Sequence, residues 1–261
     1  MIYITGDTHR NFERFQRKRR DKLPYELTEN DYVVICGDFG LLWAKDKEFE
    51  FDLKWLASLP FTILWVQGNH ENYNMIEEYE LELWNGGKAR HIFRDKIILL
   101  ERGQVFQIEG KSFFTFGGAS SHDVQGGILD MDDPEFSEKR KKANKSSLPY
   151  RVKNISWWEQ ELPTEEELAE GLKNLETVNY KVDYVITHCC ATNMQIRLER
   201  YFGYAYGSGL YEADILTDYF EQLEAKLDYQ RWFCGHYHVN LELDDKHIFI
   251  YKQIVPLELC Y

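Results

Sequence analysis

Five short apolar runs, each followed within a few residues by aspartate, asparagine or histidine, constrain this chain more than any other feature. Ile2–Thr5, 32–36, 62–66, Tyr184–Thr187 and Arg231–Cys234 have the length and the β-branched or aromatic content of buried strands. Behind them come Gly6-Asp7-Thr8-His9, Gly37-Asp38-Phe39-Gly40, Gly68-Asn69-His70-Glu71, Thr187-His188 and Gly235-His236-Tyr237-His238. Apolar residues recur at helical spacing over 12–21 and 46–59, and Pro60 closes the second stretch. Strands alternating with helices predict an α/β fold.

Further along, 96–100, Gln104–Ile108 and 112–116 follow one another across Arg102-Gly103 and Glu109-Gly110 turns, which predicts an antiparallel meander. Residues 121–163 are irregular and mixed in charge. They hold the basic run Lys139-Arg140-Lys141-Lys142 and the pair Trp157-Trp158, and are expected to form an insertion or cap within one domain spanning 1–261. Helices are predicted over 164–175, where Thr164 and Glu167 have capping-box spacing, and over 212–227. The tail, 241–259, is expected to form a hairpin or meander.

Composition narrows the function classes. A net charge of −13 over 261 residues argues against a broad basic surface that coats nucleic acid or anionic membrane. A hydrophobic fraction of 44% supplies a sizeable core, yet no run approaches the roughly 18 apolar residues of a spanning helix. The start has no basic segment followed by a long apolar one, so a cytoplasmic location is expected. Cys36, Cys189, Cys190, Cys234 and Cys260 lack CxxC spacing and are expected to be reduced packing residues.

In an α/β sheet, strand ends converge on one edge, and the crevice there is where ligands bind. A lone Asp-x-His or Gly-Asp is ordinarily a turn or capping element. Five such elements at five strand ends are a different matter, because the fold gathers them. Oxygen and imidazole donors without thiolate suit manganese, iron or zinc, and the set is large enough for two ions.

In their order, these motifs resemble those of the calcineurin-like metallophosphoesterase family. Asn69 to Tyr73 (NHENY), Trp84 to Lys88 (WNGGK), Phe113 to Ala119 (FFTFGGA) and Ser156 to Glu159 (SWWE) further resemble a small bacterial and phage branch of unassigned substrate. The resemblance implies a four-layer α/β/β/α sandwich of two mixed sheets flanked by helices. It also implies a dinuclear site, with Asp7, His9 and His238 on the first metal, Asn69, His188 and His236 on the second, and Asp38 bridging. His70 resembles the family histidine that assists the chemistry without binding metal.

That pattern implies hydrolysis of a phosphomonoester or phosphodiester by in-line attack of a metal-bridging hydroxide, with two divalent ions as cofactors, manganese first. The expected partner is a small, nucleotide-like phosphate ester, with nucleic acid less favoured and no membrane. A nuclease acting on nucleic-acid ends and a non-catalytic binding module that keeps the fold remain the alternatives. The second motif continues Phe39-Gly40-Leu41, not into the Asp-Arg pair of the phosphoprotein phosphatases, so the phosphate needs another arginine. Arg10 is the nearest candidate in sequence, while His122 and Asp123 are candidate substrate contacts. Adjacent in one loop, Ser121-His122-Asp123 is not expected to assemble a catalytic triad. His91 and His247 are expected to be surface or capping residues.

Overall fold

A computed structural model of the chain describes residues 1–20, 22–23, 26–203 and 211–258. Asp21, the last residue of the predicted 12–21 helix, lies outside the described residues, as do Cys260 and the last residue of the predicted tail. The chain builds β1 (Ile2–Thr5), α1 (Arg17–Arg20), β2 (Tyr32–Ile35), α2 (Lys47–Ala57), β3 (Thr62–Trp65), α3 (Tyr73–Ile76), β4 (Glu82–Trp84), β5 (Gly87–Phe93) and β6 (Ile97–Leu100). It continues through β7 (Gln104–Ile108), β8 (Lys111–Phe116), β9 (Ile128–Leu129), α4 (Phe136–Lys145), β10 (Arg151–Val152) and α5 (Glu165–Thr177). The remainder forms β11 (Tyr184–Thr187), α6 (Thr192–Tyr201), α7 (Ile215–Glu224), β12 (Arg231–Cys234), β13 (Leu241–Glu242), β14 (His247–Phe249) and β15 (Ile254–Pro256).

Two mixed sheets flanked by helices result. The first runs β15-β1-β2-β3-β6-β5-β4 and the second β13-β14-β12-β11-β8-β7. The central strands β1, β2, β3 and β6 are parallel, as are β8, β11, β12 and β14, so their carboxyl ends point one way within each sheet. Strand parity assigns the layers, because successive side chains point to opposite faces. Ile4, Val34, Leu64 and Ile98 face inward against Phe113, Ile186 and Phe233 of the other sheet. Tyr3, Val33, Ile63 and Ile97 face outward onto a cluster that includes Phe49 and Leu56 of α2. On the far side, Val185 and Trp232 pack against Leu175, Leu198 and Phe220 from α5, α6 and α7.

Local capping chemistry matches the sequence. Asp46 accepts the Phe49 N–H at 2.7 Å and starts α2. Thr164 and Glu167 form the reciprocal capping box of α5 at 3.2 and 2.8 Å.

Three expectations need correction. The strands after residue 90 do not form one meander: β6 pairs parallel with β3 inside the first sheet, while β8 pairs parallel with β11 in the second and carries β7 as its edge, because non-local parallel pairing decides which sheet each strand joins. The 12–21 helix is instead a 3-10 turn, Glu13–Phe15, followed by the four-residue α1, since Phe12 and Phe15 turn into the core while Arg17 to Arg19 stay exposed. Half of the tail forms the β13-β14 hairpin in the second sheet, and β15 crosses over to pair antiparallel with β1 of the first. No helix among the described residues is long and apolar enough to cross a membrane.

Candidate metal centre

The carboxyl ends of β1, β2, β3, β11 and β12 bring Asp7, His9, Asp38, Asn69, His70, His188, His236 and His238 to one place. Three overlapping groups could each hold an ion: Asp7 with His9 and His238, His9 with Asp38 and His70, and Asp7 with Asp38 and His188, with donor atoms within 4.8 Å of one another in each. Pairwise distances bear this out. His238 Nε2 lies 3.1 Å from Asp7 Oδ2, His188 Nε2 lies 3.4 Å from Asp38 Oδ1, and His9 lies 3.6 and 3.7 Å from Asp7 and Asp38. Ring nitrogens also face one another, His9 Nε2 to His238 Nε2 at 2.9 Å and His236 Nδ1 to His188 Nε2 at 3.2 Å. Lone pairs converging on shared space, backed by two buried carboxylates, fit divalent cations.

The backbone is bent to achieve this. His9 (φ 46°), Asp38 (φ 50°), His236 (φ 65°) and His238 (φ 53°) all lie in the left-handed region, where a side chain costs on the order of 1–3 kcal/mol. Four of the twelve left-handed non-glycine residues among those described are donors of this one cluster, where geometry takes precedence over stability. Two glycines admit the close approach. A Cβ at Gly37 (φ +85°) would stand 2.1 Å from the His188 ring, and one at Gly68 would stand 2.0 Å from Asp38 Oδ1.

Backbone donors aim the carboxylates. Asp38 Oδ1 accepts the His70 N–H at 2.7 Å, and Asp7 Oδ1 accepts the His236 N–H at 2.9 Å. His188 is fixed by Nδ1 on the Cys36 carbonyl at 2.7 Å, which leaves Nε2 for the cluster and for Asn69 Oδ1 at 3.1 Å. Although burial opposes charge on both, mutual attraction holds Asp38 well below the usual carboxylate range and raises His188 to about 9. Burial instead pushes His70 down to about 4, helped by the neighbouring Arg151 cation against the pull of Asp38.

Residues 121–163 reach this cluster, and here a residue appears that the motifs did not reveal. Arg151, at the start of β10, is buried and directs its guanidinium to His70 Nε2 at 2.7 Å. It is held by Asp123 Oδ1 at 2.6 Å and by the Asn69 and Ser156 carbonyls at 3.1 and 3.0 Å. Glu161, in the next turn, stands 3.6 Å from Arg151 and accepts the Ser121 hydroxyl at 2.5 Å; burial raises its carboxyl to about 8 despite both partners. Below them the buried Arg102 donates to the Gly117, Gln160 and Glu161 carbonyls and to Tyr73 Oη, fastening the segment to the sheets. No local spacing announces Arg151; the missing arginine after the second motif is the only signal that another must exist.

The other candidates fall in place differently. Arg10 turns away, with its guanidinium forked on Asp46 at 3.0 and 2.8 Å and its Nε on Asp52 at 3.0 Å. His122 joins the cluster from behind, its Nε2 2.7 Å from His236 Nε2, while Asp123 holds Arg151. With Ser121 bonded to Glu161, these three neighbours serve three partners and form no triad. Trp158 is fully buried and meets Trp43 edge-on at 5.7 Å, as core packing requires. Cys36, Cys189, Cys190 and Cys234 are buried and free. His247 departs from the sequence expectation: it is buried in β14, where Tyr229 Oη at 2.7 Å and Asp244 at 2.9 Å satisfy it.

The sequence model of the calcineurin-like phosphoesterase family matches residues 1–240, and the chain belongs to that family. No curated protein sequence matches it. Among solved structures, the phosphopantetheinyl hydrolase of Mycobacterium tuberculosis is similar at 14% identity, covering 96% of this chain and 87% of that one with a TM-score of 0.43.

Proposed function

We propose that this member of the family is a dinuclear metal-dependent phosphoesterase acting on a phosphomonoester or phosphodiester of a small, nucleotide-like molecule. The observation that carries the reading is the overlap of the donor groups: Asp7, Asp38 and His9 each belong to two of them, which is the arrangement two adjacent ions need. Asp7, His9 and His238 would hold one ion, Asn69, His188 and His236 the other, and Asp38 would lie between; manganese suits the donors best, with iron or zinc compatible. When bound, the ions supply Lewis acidity toward phosphoryl oxygens and activation of water at neutral pH.

The chain's own groups do the rest. Arg151 brings a guanidinium to the site and, with Nε on Asp123, both Nη1 protons on carbonyls and one Nη2 proton on His70, keeps one N–H for a phosphate oxygen, its direction fixed in advance by that brace. Its contact with His70 Nε2 places the imidazole proton on Nδ1, because a guanidinium only donates. From there His70, a neutral imidazole because burial holds its pKa at about 4, donates a hydrogen bond to the leaving oxygen and stabilises the charge developing on it. His122 meets the outer nitrogen of His236 and so orients that ring.

The test is hydrolysis of an aryl phosphate and an aryl phosphodiester with added manganese, before and after chelation. Turnover that needs the metal is expected, and the ratio of the two rates assigns monoesterase or diesterase. No hydrolysis of either by protein shown to hold two ions would replace the enzyme with a binding module.

A further inference from the structure

We propose that the groove between α1 and the β14–β15 connection is a subsite for a second phosphate, so that the preferred substrates carry two phosphate groups; this rests on reading the cluster as a phosphoesterase centre. The groove encloses about 730 Å³, a volume in the range of small-molecule sites and more than one phosphate fills. It opens at Asp7, Thr8 and His9 and runs past Arg14, Arg19 and Lys22 to Tyr251 and Lys252. The Tyr251 ring stacks on His238, centroids 4.6 Å apart and planes 18° from parallel, so the groove wall is continuous with a donor of the metal centre.

Charge decides what the groove accepts. In a chain of net charge −13 it gathers Arg14, Arg19, Lys22 and Lys252 against Asp7 and Glu13 among the described residues. Asp7 is committed to the cluster, and Glu13 reaches only Arg19, at 3.9 Å. Arg14 spends its donors on the Gly6, Asp7 and Tyr251 carbonyls and the Thr5 hydroxyl, none of which cancels its charge. Among the described residues neither Lys22 nor Lys252 pairs with a carboxylate, and the Lys252 ammonium lies 5.1 Å from the Tyr251 ring centroid. A second groove, of about 650 Å³, flanks His9 on the other side, but there Arg10 and Arg17 are matched by Glu13 and Asp52, and Arg10 is tied to Asp46 and Asp52. The Tyr251 side therefore carries an excess of cations that the other side lacks among the described residues.

The test measures binding to the manganese-loaded His70→Ala protein, whose slow turnover leaves ligands intact. Adenosine 5′-monophosphate, adenosine 5′-diphosphate and adenosine 3′,5′-bisphosphate are compared by calorimetry. At least one two-phosphate nucleotide should bind about tenfold more tightly than the monophosphate, and Lys22→Ala with Lys252→Ala should erase that preference. Equal affinity for all three, or a preference that survives the double substitution, overturns the proposal. Tighter binding of a single-stranded oligonucleotide with a steep salt dependence overturns it in favour of a nucleic-acid backbone. A tenfold preference, together with wild-type protein that hydrolyses neither the aryl phosphate nor the aryl phosphodiester, would establish the subsite while defeating the phosphoesterase reading.

Discussion

Strand-end residues and inserted-segment residues meet at one cluster but are held there by unlike means. Asp7, Asp38, His188 and His236 are fixed by main-chain geometry: parallel strands aim them, Asp38 and His236 sit in left-handed turns, and backbone N–H or carbonyl groups set the angles of Asp7, Asp38 and His188. Arg151 stands on a two-residue strand pair, β9 with β10, and is fixed by side chains and loop carbonyls. The first region resembles a casting and the second a bracket. On the proposed reading labour is divided accordingly: the sheets would build a cation site that is costly to alter, and residues 121–163 would add substrate contacts that can change without disturbing the fold.

Substitution in the first region should have the largest effect. Asp38→Asn removes one of the charges the two ions share, and activity should fall by more than about 10³-fold. Elemental analysis should find dinuclear occupancy lost; two tightly bound ions in that variant would contradict the bridging position. His70→Ala tests the boundary between the regions, and kcat should drop roughly 10²–10⁴-fold with metal content intact. Loss of ions on that change would move His70 into the donor set, as its group with His9 and Asp38 allows. Within residues 121–163, Arg151→Ala should cost about 10²-fold in kcat/KM without loss of metal, and Arg151→Lys should recover only part, since an ammonium cannot reproduce the planar brace on Asp123, His70 and the two carbonyls. If Arg151→Ala also emptied the metal site, the division itself would fail.

The smallest effect belongs to the opposite end of the same strands. Asp183, ahead of β11, accepts the Ser112 N–H and hydroxyl and the Gln230 amide, each at 2.8 Å. Burial pushes its carboxyl up, but these bonds outweigh burial and hold the carboxyl below its usual value. A depressed folded pKa stabilises above the unfolded value of about 3.9 and loses that contribution as pH falls through the folded one. Asp183→Asn should therefore cost about 1 kcal/mol at neutral pH and progressively less below about pH 4, with activity unchanged. A cost that stays equal at pH 7 and pH 3 would mean that the carboxylate charge contributes nothing.

The same contrast explains what could be foreseen from sequence. Ile2–Thr5, Gln104–Ile108, Tyr184–Thr187 and Arg231–Cys234 appear as strands with the bounds their residue patterns suggest, and the donor residues follow them because a strand end and its turn are local facts. Which sheet a strand joins is not local. Nothing in Gln104–Ile108 distinguishes pairing with β6 from pairing with β8 alone, and nothing in the tail says that β15 crosses between sheets. The β4-β5 hairpin went unforeseen because its exposed edge strand, Glu82–Trp84, carries only weak alternation. Arg151 was hidden for the same physical reason: its meaning lies in contacts with Asn69, His70 and Asp123, which are 82, 81 and 28 residues away.

Those separations bear on how the molecule comes to life. His9 and His238 meet across 229 residues, and the Arg14 guanidinium clasps the Tyr251 carbonyl across 237. Closing spans of that length is the slow part of folding, and parallel sheets delay it further, because loop entropy is lost before any contact repays it. The proposed cation site is therefore complete only once both ends of the chain are in place. A fragment that ends before His188 lacks three of its seven proposed donors, so on that reading affinity for metal would report complete folding.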